Sequence, residues 1–352
     1  MVHLRIVAPP DAADHAVELL EDSGSVCNVI MLEHAARKPR GHVILCDVAR
    51  EEASVIIDDL RELDIPKYGS ISLEYVDTQI SDAAEAAVEH APGLASDAII
   101  WEDVENRTEE MTELSLTFVA FMVLAMIIAG VGVILDQPIL VIGGMVVGPE
   151  FGPLAALSVA LVELRGGLVR RAGMALIVGF PIGIAVTVIV TLGLDATGLI
   201  PESFNPADNE LTSFVTNPDA LSLFVAIVAG TAGVLSLTSA KSGALIGVLI
   251  SVTTIPAASA VAVSAALGDW ADASGAAIQL GLNLLGIVLA GVVTLFLQRR
   301  WYVVRRRRHL SDPARERAGL PMGRSRHRRR PPGSRVGAGT ARSESADGGT
   351  QR

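Results

Sequence analysis

The sequence predicts an α-helical polytopic membrane domain of six spans, preceded by a small α+β ferredoxin-like domain in the cytoplasm. Half of the residues are hydrophobic, and the mean hydropathy is +0.46. Several apolar runs reach the length of about 20 residues that a helix needs to cross a bilayer. Charge is uneven, with net −17 over residues 1–113, −6 over 114–298 and +12 over 299–352. These values indicate three regions with different surroundings.

Residues 1–78 have the pattern of a ferredoxin-like domain. Alternating β-rich runs at 2–8, 25–34, 41–48 and 70–76 are separated by helical runs at 11–22 and 50–63, in the order βαββαβ. The expected core residues are Ile6, Val17, Leu20, Ile30, Ile44, Ile57, Leu60 and Ile71. Cys27 and Cys46 do not suggest a disulfide framework or a metal site. Because this fold hosts many unrelated activities, it does not identify a function.

Residues 79–113 are predicted to be a linker and a juxtamembrane helix. The linker is rich in Ala, Asp and Glu and contains a Pro92-Gly93 break. From Ser96 a polar helix is expected to run straight into the first span. We expect Trp101 to pack on the small domain or to lie near the lipid headgroups, with a ligand contact as the alternative.

Six apolar segments make up the predicted membrane domain at 114–298. They lie at about 114–135, 138–162, 171–194, 220–239, 242–267 and 275–298. Every basic residue near a span end falls on one side, as in the loop with Arg165, Arg170 and Arg171. The opposite loops carry acidic residues and neither Lys nor Arg. The positive-inside rule therefore predicts a multi-pass protein of the cell inner membrane with both termini in the cytoplasm.

The second and fifth spans are predicted to be broken at their middles by glycine, proline and polar residues. Proline lacks a backbone donor and clashes with the preceding turn, so an unbroken helix is disfavoured. Freed backbone groups at membrane depth need protein or water as partners. Since each set of three spans has the broken one in the middle, the sequence favours a 3+3 inverted repeat, as in many secondary transporters.

A solute or ion site is predicted where the two joints approach each other near the membrane midplane. Its candidate residues are Gly148, Pro149, Glu150, Gly152, Pro153, Thr253, Thr254, Pro256 and Asn283. A carboxylate at that depth has to be paired, hydrated or protonated. No Lys or Arg within the spans offers itself as its partner, so the neutralising species is either a proton or cation, or else water in a vestibule. Asn283 could equally bond a neighbouring helix.

The broken segments resemble a known family. The runs IGGMVVGPEFGPLAALSVAL at 142–161, IGVLISVTTIPAASAVAV at 246–263, ALGDW at 266–270 and LNLLGIVLAG at 282–291 are similar to the bacterial and archaeal membrane proteins with domain of unknown function 389. The resemblance covers roughly 110–298 and extends to the small domain. It implies a multi-span membrane protein with a cytoplasmic domain, often guessed to be a transporter. An apolar residue would be expected in this family at the position of Glu150.

Residues 299–352 are predicted to be a disordered basic tail, because their Pro-, Gly-, Ser- and Arg-rich composition cannot bury a core. A polybasic stretch beside a span attracts anionic lipid headgroups. That attraction accounts for its charge without nucleic acid as a partner. The expected partners are the lipid bilayer, those headgroups and an unidentified small solute or ion, and a homo-oligomer is left open.

Two functions remain after the search for motifs. The sequence contains no HExxH, GxSxG, phosphate-loop or dinucleotide fingerprint, so we expect no enzyme, cofactor, catalytic residue or bound metal. The favoured function is a transporter or channel for a small solute or ion, with the cytoplasmic domain in regulation or assembly. The alternative is a non-transporting membrane anchor or scaffold whose cytoplasmic domain binds a partner protein or small ligand. A mere anchor does not require two irregular joints at membrane depth.

Overall fold

The computed structural model describes residues 1–91, 93, 98–201, 220–239 and 254–323. Within them the chain is mostly helical, with a small antiparallel sheet at its N-terminal end. The helices divide into those that cover the sheet, a group of long apolar helices, and a few that join the two parts.

The N-terminal part contains four strands in the order β2-β3-β1-β4, and every neighbouring pair is antiparallel. The strands are β1 Val2–Ala8, β2 Val26–Arg37, β3 Arg40–Val48 and β4 Ser70–Tyr75. The helices are α1 Pro10–Glu21, α2 Arg50–Glu62 and the short α3 Ile65–Tyr68. The observed order is the predicted βαββαβ with one additional short helix.

The core of this part lies between the sheet and helices α1 and α2. Of the expected core residues, Ile6, Leu20, Ile44, Ile57 and Leu60 are buried, and Val17 and Ile71 pack against them. The prediction that Ile30 is buried is wrong, since its side chain is 49% exposed. The register of β2 against β3 shifts between Cys27 and Ile30, where Asn28 has a positive φ of 54°. A shift of one residue turns every later side chain to the opposite face of the sheet.

The segment between the two parts forms two helices, α4 Asp82–His90 and α5 Trp101–Glu110. The prediction that the polar helix runs straight into the first span is wrong. A new helix starts after Ser115, which has an extended backbone and accepts the N–H of Phe118 at 3.0 Å. Such a serine satisfies one of the unpaired donors of a helix N-terminus.

The apolar part contains helices that could cross a membrane by their length and composition. Among the described residues four qualify alone, namely α6 Leu116–Ile134, α9 Gly166–Ala196, α10 Ala220–Thr238 and α12 Trp270–His309. The pair α7 Pro138–Val147 and α8 Phe151–Glu163, bent by 52°, gives a fifth if it is one span. The apolar helix α11 Thr254–Ala266 is shorter. These helices indicate a membrane protein. The first half of the predicted fifth span lies outside the described residues.

Helix α11 lies at the centre of the apolar group and packs against α6, α7, α9 and α12. Ile255, Ala257, Ala258, Ala260, Ala262 and Val263 have no exposed surface. Small side chains allow neighbouring helices to approach closely. The hydroxyl of Ser259 donates to the carbonyl of Ile255 at 2.8 Å and lies 3.1 Å from that of Met126 in α6. A buried hydroxyl in α11 is therefore satisfied by backbone groups.

The boundary predicted for the basic tail at Arg299 is too early. Helix α12 continues to His309, and a further helix α13 covers Pro313–Arg317. The continuation is stabilised because its basic side chains contact the acidic face of α2, for example Arg306 against Glu62 at 3.0 Å. Residues 324–352 lie outside the described residues.

Candidate functional site

The joint between α7 and α8 is built by the local sequence. Helix α7 ends at Val147, and Gly148 adopts an extended backbone with ψ at 128°. Pro149 supplies no backbone donor, and Glu150 opens α8 with helical angles. Pro153 occupies the third position of α8, where its missing N–H leaves no helix hydrogen bond unmade. The bend of 52° thus lies at the residues from which a broken span was predicted.

The side chain of Glu150 points into the protein and is only 2% exposed. Its Oε1 accepts a hydrogen bond from the hydroxyl of Thr254 at 2.8 Å. Its Oε2 is buried and has no hydrogen-bond partner among the described residues. No Lys, Arg or His in the described part of the chain lies within ion-pair distance of this carboxylate.

Gly148 provides the space that the carboxylate occupies. A Cβ at this position would lie 2.3 Å from Oε2 of Glu150 and 2.7 Å from Cγ1 of Ile255. Real side chains do not approach so closely, so even alanine would displace the carboxylate or α11. The glycine is needed here for this close approach.

Thr254 belongs to the predicted second joint and contacts the first. It is the first described residue of α11 and has no exposed surface. Pro256 of α11 is buried as well. Thr253, the other predicted hydroxyl ligand, lies outside the described residues. The observed contact between the two predicted joints is therefore the one between Glu150 and Thr254.

Asn283 lies on the buried face of α12 and has no exposed surface. Its side-chain oxygen accepts a hydrogen bond from Gln279, one turn earlier, at 2.9 Å. Gln279 is itself buried, and its oxygen has no hydrogen-bond partner among the described residues. The sequence prediction missed Gln279, although its spacing of four residues places it on the same helix face as Asn283.

Gly152 belongs to a different contact from the one predicted. A Cβ there would lie 2.9 Å from Cβ of Met111, which follows α5. Trp101, at the other end of α5, is 1% exposed and belongs to the same buried cluster as Phe151 and Leu154. Helix α5 thus covers one side of the joint.

The arrangement offers oxygen acceptors in a closed, largely apolar setting. Two carboxylate oxygens and one hydroxyl meet at the N-terminus of α8, and helix N-termini favour negative charge. Such a group can take up a proton or a small cation, either of which would satisfy Oε2. No group of three or more His, Cys, Asp or Glu side chains that could hold a metal ion occurs in the described ranges.

Comparison with known proteins places this site within a matched region. Residues 145–289 match the family model described as domain of unknown function (DUF389), which confirms the resemblance read from the sequence. A curated relative, the uncharacterized protein MJ0678 of Methanocaldococcus jannaschii, is 24% identical over 243 residues, or 69% of this chain and 72% of the relative. No solved structure matches the chain. The family match includes Glu150, Thr254 and Asn283.

Proposed function

We propose that this chain, with its match to an uncharacterised membrane family, is a transporter or channel that moves a small solute or ion past Glu150. The protein is not an enzyme in this proposal. Binding of a proton or a cation at the carboxylate is the step that the site supports. Thr254 orients the carboxylate, and Asn283 with Gln279 offers further neutral oxygens on α12.

One observation carries the proposal, namely the burial of Glu150 without a basic partner among the described residues. An ionised carboxylate within a bilayer costs several kcal/mol unless something neutralises it, and ionisable groups at such positions commonly mark ion or proton pathways. A structural role would favour a fixed arginine or a full set of donors. A buried carboxylate with one oxygen that has no partner among the described residues favours a proton or cation that binds and dissociates.

The likeness of the two halves supports an inverted repeat of three and three spans. Helices α8 and α11 each contain a buried proline, Pro153 and Pro256, near the contact between Glu150 and Thr254. Each is followed by a residue with positive φ, Leu164 at 57° and Gly268 at 82°, and then by a long helix. An odd number of spans per half inverts the second copy, and such repeats bring broken helices together at a transport site.

The expected placement is the cell inner membrane with both termini in the cytoplasm, from the positions of the basic residues. Cysteines placed singly at Ser203 and Ser325, without Cys27 and Cys46, test it with a membrane-impermeant thiol reagent on intact cells. We expect labelling at position 203 and none at position 325. The reverse pattern would require the opposite orientation.

The cytoplasmic domain has a regulatory or assembly role in this proposal. Arg307, which is exposed on the extended α12, remains available to anionic lipid headgroups. Arg305 and Arg306 of the same basic run are instead bonded to the N-terminal domain. Within the described part of the basic tail, the proposed lipid contact is therefore restricted to the residues that face away from α2.

Transport is tested with the purified chain in vesicles that contain, in separate preparations, a dye sensitive to pH, to sodium or to potassium. We expect a proton or monovalent-cation flux from the wild type and a loss of most of it in Glu150→Gln, because the amide keeps the acceptor for Thr254 but cannot ionise. Thr254→Val should change the rate or pH dependence. Asp195→Asn, an exposed carboxylate at the end of α9, is the matched control and should leave the flux unchanged.

The outcomes separate the candidate functions. A flux that is equal in the wild type, Glu150→Gln and Thr254→Val would move the site away from the joint. No flux of protons, sodium or potassium in any variant would favour the anchor or scaffold, in which the cytoplasmic domain carries the function through a bound partner.

A further inference from the structure

The C-terminal extension of α12 contacts the N-terminal domain over a buried ionic surface. The residues from Arg299 to His309 extend α12 by about 16 Å at the usual rise per residue. After α13 the chain turns back, and the N–H of Gly323 donates to the carbonyl of Leu310 at 2.7 Å. We call residues 299–323 the C-terminal extension.

Three basic side chains of this extension meet two carboxylates of α2. Arg306 lies 2.5 Å from Asp59 and 3.0 Å from Glu62, and Arg315 bonds Asp59 and lies 2.8 Å from Glu62. His309 lies 2.7 Å from Asp59. Asp59 and Arg315 have no exposed surface at all. The contact is therefore held by charges that are removed from water.

The two surfaces of this contact carry opposite charges. The α2 face is acidic, with Glu51, Glu52 and Asp58 beside Asp59 and Glu62, and the extension is basic. Separation would rehydrate these groups, which offsets much of the lost attraction. Ala318 of the extension also belongs to the core of the domain, so opening would uncover this small apolar contact as well.

Helix α5 is bonded to the same face of the domain. The hydroxyl of Ser54 accepts the N–H of Trp101 at 3.0 Å and donates to Glu102 at 2.7 Å, and Arg61 lies 3.0 Å from Glu102. The indole of Trp101 packs edge-on against Tyr302 of the extension, with ring centroids 6.1 Å apart. Domain, extension and α5 therefore form one connected unit.

The far end of α5 reaches the joint. Met111 contacts Gly152, and Glu109 bonds the buried Arg165 that follows α8. Movement of α5 away from this place would uncover the side of the joint at Gly152, two residues from Glu150. The position of α5 depends on contacts that the extension helps to hold.

We propose that the C-terminal extension is an ionic latch that seats α5 over the joint, and that its release opens this side of the joint to water. The proposal builds on the placement of the functional site at the joint. It does not depend on what is transported, because opening is measured by solvent access.

Trp101 fluorescence in the full-length chain tests the latch itself. Trp270 and Trp301 are exposed, and replacing both with Phe leaves Trp101 as the sole reporter. Arg315→Gln and Asp59→Asn break the latch from opposite sides, and the first leaves the N-terminal domain untouched. Each should raise acrylamide quenching of Trp101 about tenfold toward that of an exposed indole, because the remaining buried charge loses its partner. Arg308→Gln is the control, because it changes an exposed arginine of α12 in the same extension. It should leave the quenching of Trp101 unchanged.

Met111→Cys, in a chain without Cys27 and Cys46, reports the access of water to the joint. We expect a water-soluble maleimide to label it several-fold faster when Arg315→Gln is added, and at the original rate when Arg308→Gln is added. If Arg315→Gln gave the same Trp101 quenching and the same cysteine labelling rate as the Arg308→Gln control, the latch would be overturned. Increased quenching with unchanged labelling would show that the extension does not cover the joint, and would also overturn the proposal. Increased access in a protein that carries no flux would support the latch while the proposed function fails.

Discussion

Two of the buried carboxylates in the described residues, Asp59 and Glu150, have very different partners. In the junction between the N-terminal domain and the C-terminal extension, Asp59 is fully buried and contacts Arg306, His309 and Arg315. In the apolar bundle, Glu150 is 2% exposed, and its described partner is the neutral hydroxyl of Thr254. The first carboxylate has fixed positive charges around it. The second has one neutral donor and one oxygen without a partner among the described residues.

Under the proposed function, this difference separates a structural charge from a functional one. Buried ion pairs hold two surfaces in a defined arrangement, and removal of one partner leaves an uncompensated charge. Glu150 has no such partner among the described residues, and in the proposed function a proton or cation neutralises it. Asp59 therefore serves to position the domain, whereas Glu150 is suited to bind and release a proton or cation.

The largest expected effect is on stability in the junction. Asp59→Asn should lower the free energy of unfolding of the purified chain by about 3 kcal/mol, since Arg306 and Arg315 then remain buried with less compensating charge. Glu150→Gln should change it by less than about 1 kcal/mol, because it removes an unpaired charge and keeps the acceptor for Thr254. Chemical denaturation in detergent, followed by circular dichroism, measures both.

Asp22→Asn provides the control for the junction. Its ion pair with Arg317 is partly exposed, at 2.8 Å, and exposed pairs contribute only about 0–1 kcal/mol. If Glu150→Gln proves as destabilising as Asp59→Asn, then the carboxylate in the bundle has a fixed structural partner. The contrast between the two carboxylates would then no longer hold.

The sequence predicted the joint between α7 and α8 better than the junction between the N-terminal domain and the C-terminal extension. The reason is physical. Gly148, Pro149 and Pro153 act on their own backbone, so a broken helix follows from local residues alone. The partners of Arg315 lie more than 250 residues away in sequence, and nothing local indicates them. Without these partners a basic, proline-containing stretch has the composition of a disordered tail. Gln279 was missed because its spacing from Asn283 was not considered, although a separation of four residues places both amides on one helix face.

The error at Ile30 shows a second limit of local patterns. Alternation along β2 predicts an inward Ile30, but the irregularity at Asn28 reverses the face. The contact of Glu150 with Thr254 was predicted in general terms, as an approach of two joints. Its geometry depends on how α11 packs among four other helices, which periodicity does not determine.

A smaller effect on stability is expected from a substitution at Gly148, because it alters the space around the carboxylate of Glu150. Gly148→Ala would place a methyl group 2.3 Å from Oε2 of Glu150 and 2.7 Å from Ile255. Overpacking of this kind costs about 1–3 kcal/mol, and relief requires the carboxylate or α11 to move. We therefore expect both a lower free energy of unfolding and a reduced flux, measured by denaturation and in the vesicle assay.

Gly143→Ala separates the effect of the carboxylate from that of adding a methyl group to α7. A Cβ at Gly143 would meet only Ile128, at an ordinary 3.9 Å. Alanine there should be neutral, or stabilising by about 0.5–1 kcal/mol through its higher helix propensity. If the two substitutions lower the flux equally, the joint is sensitive to any change in α7 and the fit around Glu150 has no special role. A loss of flux confined to Gly148→Ala means that the carboxylate must hold its place beside Thr254 to work.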